Sequence, residues 1–418
     1  MVRLTRFIFA SLLAGIALTG CRSDIENVSS GLNSSYYIER MRKLKLSPAY
    51  KGDSYRWILH TENGQDSLLS TDREYIFLAE KEGTYNLTFE LEDGLRGYRH
   101  SFLVIALHEE TEYSPYTAKV YEYRPAPGQF VNTMPVYEKG DTEETMRQKA
   151  EDDLSNDVMI TLGAYGGYVT FGFDHTVINV PGKKDFYIKG NAFYSDVPDY
   201  LERKGGSSEP GIVMVAFDRN CNGQADDDEW YELAGSEYYK PSTLKNYQIT
   251  YSRPDNHTPI GDDTGFLTDT AYVVWSDNRE GKGFIAKNIY HPQNYYPEWM
   301  AEDQLTFSGS LLAGNGIDES GSGSYYVLYS YPWGYADNHP NEYADLCSFD
   351  ISWAVDKDGT PIHLPGIDFI RVYTGVRQSC GWLGETSTEV ARARDLHIEI
   401  KSSIPDDPLD DSATQSNH

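Results

Sequence analysis

Alternation of apolar and polar residues runs through almost the whole chain, and its period changes once. Between Tyr36 and His108 the runs are short: Tyr55-Arg56-Trp57-Ile58-Leu59, Tyr75 to Ala79, Thr84 to Leu91 with alternate residues apolar, and Tyr98 to Leu107. Glu62-Asn63-Gly64-Gln65, Glu82-Gly83 and Asp93-Gly94 separate them, and residues of these types favour tight turns. A period of two over runs this short predicts β-strands, and their spacing predicts a small sandwich of immunoglobulin type over residues 36–108.

The period lengthens only between Asp141 and Leu154. There Met146, Ala150 and Leu154 recur every fourth residue, and Asp141 or Thr142 is placed to cap the start, so a single helix is expected. Period-two runs then return: Val169 to Phe173, Val177 to Val180, Asp185 to Phe193, Tyr247 to Tyr251, Ala271 to Trp275, Tyr325 to Tyr331, Phe349 to Val355, Phe369 to Val376 and Leu396 to Ile400. No internal repeat is visible, which disfavours a propeller or solenoid. The expectation is an all-β protein whose second part, residues 109–402, is one jelly-roll-like β-sandwich with long loops.

One interruption of the pattern carries chemistry. The apolar run Ile212 to Phe217 leads into Asp218-Arg219-Asn220-Cys221-Asn222-Gly223-Gln224-Ala225-Asp226-Asp227-Asp228-Glu229 and out through Trp230-Tyr231-Glu232-Leu233. Counted from Asp218, side-chain oxygens fall at positions 1, 3, 5, 9 and 12 (Asp218, Asn220, Asn222, Asp226, Glu229), with Gly223 at 6 and the Gln224 carbonyl at 7. This is the ligand spacing of an EF-hand calcium loop. The flanks predict strands, not helices, so a Ca²⁺ ion here would pin a loop instead of moving two helices.

Composition narrows the setting. Arg3 and Arg6 precede an apolar segment from Phe7 to Leu18 and then Leu18-Thr19-Gly20-Cys21, so residues 1–20 read as a secretory signal too short to span a bilayer. Cys21 is the expected lipidation site, residues 21–35 a tether, and the acidic stretch 403–418 a disordered tail. A net charge of −28 argues against nucleic acid and against adhesion to anionic lipid. Cys221, Cys347 and Cys380 allow at most one disulfide, whose pairing the sequence leaves open. The 33 tyrosines exceed ordinary usage, as recognition surfaces and strands both favour.

No nucleophile elbow, P-loop, dinucleotide fingerprint or zinc spacing is present, so no catalytic residue is nominated. The ligand-binding candidates are aromatic: Tyr329, Tyr331, Trp333 and Tyr335 with His339 behind them, and a second group of Tyr295, Tyr296 and Trp299 after His291. As a platform rimmed by Asp337 and Asn338, such rings would suit a sugar or a corrin face, with His339 or His291 available to a cobalt ion; as core, they would only pack. Ser207-Ser208-Glu209-Pro210 and Gly381 to Glu389 carry hydroxyls and carboxylates that could support the calcium loop from outside or cap turns.

Several of these stretches also carry a resemblance. The pattern around Trp57 and Gly83-Thr84-Tyr85 to Asp93-Gly94 looks like a PKD-like domain, with Trp57 and Tyr85 at its core positions. Pro125-Ala126-Pro127-Gly128-Gln129-Phe130, Leu162 to Gly167, Phe173 to Thr176, Gly190 to Phe193, Ser208 to Val215, the calcium loop with Trp230 to Tyr238, and Gly381 to Glu389 resemble a family of Bacteroidetes surface lipoproteins, cell-surface proteins with an N-terminal PKD-like domain. The match spans roughly residues 36–400. It implies a lipid-anchored protein on the outside of the outer membrane, with the first domain as a spacer. It further implies capture of a corrinoid or similar nutrient for a TonB-dependent transporter. A glycan-binding or glycan-degrading role in polysaccharide utilisation, and adhesion or assembly, are the alternatives.

Overall fold

The computed structural model describes residues 30–61, 64, 66–94 and 96–399. The expected signal, the Cys21 lipidation site and the acidic tail lie outside the described residues. Strands dominate, as the alternation predicts. Among the described residues there is one α-helix and no helix long and apolar enough to cross a membrane.

The first unit is a five-stranded sheet in the order Ser35–Glu39, Arg96–Leu107, Gly83–Asp93, Ser54–His60, Asp66–Ser70, faced by a two-stranded ribbon of Leu44–Leu46 and Tyr75–Phe77. The first strand runs parallel to its neighbour and the remaining pairs are antiparallel. Inward positions of both layers fill one core around Trp57, which has no exposed surface, lies 4.6 Å from the Phe89 ring and donates from Nε1 to the Asp72 carbonyl. Tyr85 is half-buried at its margin, its hydroxyl bridging both backbone groups of Lys81. The tether is shorter than expected: Ser35 already begins a strand and Leu32 is buried in this core. Burial of one leucine and a backbone bond from Ala49 to the Ser30 carbonyl draw that segment into the fold.

The second unit has its own, larger core between two sheets. The central sheet is antiparallel, in the order Ala354–Val355, Trp230–Leu233, Gly211–Ala216, Phe369–Thr374, Tyr168–Gly172, Lys119–Arg124. A four-stranded sheet of Lys282–Asn288, Leu267–Asp277, Leu244–Ser252 and Gln304–Leu311 packs against it. Tyr247, Ile249, Tyr251, Leu305 and Phe307 meet Val169, Val213 and Val372 in a single buried cluster. Gly309 stands where any Cβ would strike the Tyr373 hydroxyl, 2.7 Å away, so the sheets approach most closely there. Helix Glu143–Ser155 closes one side with Met146, Ala150 and Leu154, and the Thr142 hydroxyl accepts the Thr145 N–H as its cap.

Several expected strands are shorter than the alternation suggests, or displaced from it. Asp185 to Phe193 is split into Phe186–Lys189 and Phe193–Tyr194, and Phe349 to Val355 is interrupted by a 3₁₀ turn at Ile351–Trp353. Among the described residues the last strand is Arg392–Asp395, ahead of the expected Leu396 to Ile400, whose final residue lies outside them. Asp395 ends it by accepting from the His397 N–H through one oxygen and bonding His175 through the other.

Candidate functional site

The central strand Gly211–Ala216, buried on both faces, delivers Asp218 to one end of the sheet. The chain returns in strand Trp230–Leu233 with Ala216 opposite Trp230, so the acidic loop is the tip of a hairpin and has no helices to open. Gly223 at φ 75° and Cys221 at φ 60° make its sharp turn. Asp218 accepts the N–H groups of Asn222 (3.0 Å) and Gly223 (2.9 Å), and Glu229 accepts those of Arg219 (2.8 Å) and Asp226 (3.3 Å). Both carboxylates are buried, so their desolvation has been met in folding. The Asn220 and Asn222 amides donate to Asp226, at 2.6 and 2.9 Å. Asp218, Asn220, Asn222, Asp226 and Glu229 offer only hard oxygens, with Gln224 at the carbonyl position, and that set suits calcium. A cation would require both amides to turn their oxygens inward, a half-rotation about one bond each.

The loop also touches the first unit. Lys43 donates to the Asp218 carbonyl (3.1 Å) and to Asp368 (2.9 Å), with its ammonium 3.8 Å from the Asp218 carboxylate. Asp368 in turn accepts the Asp218 N–H and the Thr176 hydroxyl.

The aromatic candidates are corrected by their burial. Tyr295, Tyr296, Trp299, Tyr329, Tyr331, Tyr335 and His339 are all buried, and only Trp333 keeps appreciable exposure, with its ring 4.7 Å from that of Trp353. Their hydroxyls are engaged inside: Tyr296 donates to the Glu302 carbonyl, Tyr329 to Glu319 and Tyr331 to the Ala313 carbonyl, while Tyr335 accepts the Glu237 N–H and Tyr295 that of Asn288. A large flat ring with one polar tip fills a sandwich core well when the tip finds a backbone partner. The platform expected from sequence therefore does not exist as a surface. His339 bonds Tyr194 through Nδ1 inside the fold, where burial pushes it down to about 4, and His291 packs edge-on against Phe130. His339 is thereby withdrawn from a cobalt ion, whereas His291 keeps partial exposure.

The segments Ser207-Ser208-Glu209-Pro210 and Gly381 to Glu389 do meet, but not at the calcium loop. They lie at the opposite end of strand Gly211–Ala216, about 20 Å away at roughly 3.3 Å per residue. Glu209, Asp337 and Glu389 converge there within 4.8 Å. Asp337 accepts the N–H groups of Asn191, Ala192 and Glu389, and Glu389 accepts the hydroxyls of Ser387 and Thr161. Burial first, and then the charge of Glu209, hold Asp337 and Glu389 well above the usual carboxylate range. Asp337 thus ties three backbone segments together.

Beside this cluster, a cleft of about 250 Å³ opens between the outer sheet and the 376–386 segment. Trp275, Phe284 and Ile285 form one wall, Tyr165 and Tyr251 the floor, and Arg377 and Glu385 supply charge. The Arg377 guanidinium lies 4.2 Å over the Trp275 ring and 4.0 Å from Asp277, and makes no hydrogen bond among the described residues. Glu385 accepts the Gln129 N–H through Oε1, while its buried Oε2 has no partner, and burial pushes the carboxyl up to about 8. Sequence reasoning reached Glu385 only as part of a turn-rich motif and missed Trp275 and Arg377. The available signal was Arg377 falling just beyond the long Phe369 to Val376 run, a cation at the mouth of a buried strand. A larger groove of about 760 Å³ lies where the two units meet, but its Arg40 is already paired with Glu109 at 2.5 Å.

Cys221, Cys347 and Cys380 are all free, so none of the three is bridged. No protein-family model matches the chain, and no curated protein is significantly similar to it.

Proposed function

We propose that the protein is a surface-exposed binding lipoprotein, anchored through Cys21, that captures a nutrient and passes it to an outer-membrane TonB-dependent transporter without chemical change. The observation that carries a binding role is the Trp275–Phe284 cleft, with apolar walls, the exposed Arg377 guanidinium and one buried Glu385 oxygen left without a hydrogen-bond partner. Ligand sites pair an apolar lining with a few orienting polar groups in this way. Calcium at Asp218, Asn220, Asn222, Gln224, Asp226 and Glu229 would stiffen the hairpin that also carries the interface to the N-terminal spacer. Exposed Ile260, Phe266, Ile289 and Tyr290 at one end of the outer sheet offer an apolar contact to the transporter.

A corrinoid is the leading ligand; at about 250 Å³ the cleft would hold one of its arms and not the macrocycle. Glycan binding is favoured by the exposed Phe284 ring beside Trp275, which could stack on a sugar. Titrating the protein with cobalamin and with host and plant oligosaccharides, read by tryptophan fluorescence and cobalamin absorbance, separates these. Saturable binding of either supports capture. No binding of any of them, or release of reducing sugar, overturns it.

A further inference from the structure

The polar atoms of the cleft share one property. Arg377 has only N–H groups to offer, and its stacking on Trp275 aims a flat donor array along the cleft wall. Glu385 is the unusual member, closed off from water, with one oxygen committed to the Gln129 N–H and the other uncommitted. Gln378 on that wall is already satisfied: it donates to Asn315 and Thr386 and accepts two backbone N–H groups. The Tyr251 hydroxyl is spent on the Tyr165 carbonyl. What remains for a ligand is a fork of donors on Arg377, the exposed Ser379 hydroxyl and one carboxyl on Glu385.

We infer that this cleft is the ligand site, and that it selects a carbonyl-bearing group, a primary amide or a carboxylate, carried on an apolar body about the size of one six-membered ring. The inference rests on the binding role proposed above and gives it a location and a chemistry. The carbonyl oxygen would accept from Arg377 and from the Glu385 hydroxyl while the apolar body lies between Phe284 and Trp275. The protonation state of Glu385 supports this. The carboxyl is raised to about 8, by burial first and by the charge of Glu209 last, so near neutral pH Oε2 bears a proton and is a donor. The other titratable groups around it are Tyr251 and Tyr295, both pushed up by burial and so neutral, and Arg377 across Tyr251. A ligand cation would meet the Arg377 charge and a hydroxyl turned the wrong way.

The test uses the full chain with three probes of one shape, benzamide, benzoate and benzylamine, titrated by calorimetry at pH 7 and pH 9. Benzamide and benzoate should bind and benzylamine should not. Affinity for benzamide should fall about tenfold at pH 9, one unit above the Glu385 value, as the donor is lost. In E385Q the amide oxygen keeps the Gln129 bond and the NH₂ takes the donor position without ionising, so affinity should hold at both pH values. Arg377→Ala should weaken benzoate more than benzamide. Benzylamine binding that strengthens as the pH rises overturns the assignment, and that arm needs no variant to fold. So does an equal fall at pH 9 in wild type and E385Q. If no probe binds but cobalamin or a glycan does, the site is wrong and the binding role stands; if nothing binds, both fall.

Discussion

Replacing Asp218 with alanine strikes the loop at its first oxygen, and the structure sets the size of the effect. The carboxylate, itself buried, accepts two backbone N–H groups, from Asn222 and Gly223, in an exposed turn. Without it the Gly223 N–H loses its partner while the Asn222 N–H keeps the Asn220 side-chain oxygen at 2.9 Å, so the variant should be about 1 kcal/mol less stable even without metal. Calcium adds a separate term. At a hundredfold excess over its dissociation constant, an ion bound only by the folded chain stabilises it by about 2.7 kcal/mol. For a domain of this size that is a rise in melting temperature of about 5–10 °C. Wild type should therefore melt higher in calcium than in chelator, Asp218→Ala should melt alike in both, and the gap between the two proteins should widen from about 1 to about 4 kcal/mol when calcium is added. Magnesium should give little, because it demands a smaller octahedral shell. Scanning calorimetry of both proteins in calcium, magnesium and chelator measures all of this. Superimposed wild-type transitions in calcium and chelator would refute the calcium reading. The loop would then be closed by its own amide-to-Asp226 bonds.

Lys43→Met removes a cation 3.8 Å from the Asp218 carboxylate, so calcium should bind several-fold more tightly while the contact between the two units loosens; calcium titration calorimetry checks the first part, and unchanged or weaker binding contradicts it. Stability should also fall with rising pH. Glu385 is raised to about 8 in the fold against about 4.3 in an unfolded chain, so the folded state holds a proton that the unfolded state has released. Its stabilising contribution is complete below about pH 4 and is lost progressively as the pH rises through 8, by up to roughly 1.4 kcal/mol per unit, with Asp337 and Glu389 acting in the same direction. Melting between pH 5.5 and 8.5 should show a falling midpoint, flattened in part by E385Q, and a rising one would contradict the burial of these carboxyls.

What was legible in the sequence follows from what each residue type does alone. Alternation around Trp57 and Tyr85, and fourfold spacing of Met146, Ala150 and Leu154, identify a strand or a helix from local pattern, because the pattern records which face is buried. The acidic hairpin loop from Asp218 to Glu229 was equally visible, since its oxygens come from twelve consecutive residues. The aromatic stretches misled for the opposite reason. A tyrosine has the same composition on a surface as in a core, and only the partner of its hydroxyl decides. For Tyr331 that partner is the Ala313 carbonyl, and for Tyr335 the Glu237 N–H, neither readable from local spacing.

The cleft was the least legible element, because it is assembled from Trp275, Arg377 and Glu385, brought together by the packing of one sheet against another. Its one buried, uncommitted oxygen, on Glu385, is meaningful only when every neighbouring bond has been accounted for. Burying a carboxyl without a partner costs free energy that a purely structural core would remove by substitution with glutamine or leucine. Glu385 keeps one bond to the Gln129 backbone and leaves its other oxygen free, within the cleft wall that also carries a donor-rich Arg377. A group held at that cost beside an opening of the right size is better accounted for by what enters the opening than by the stability of the sandwich around it.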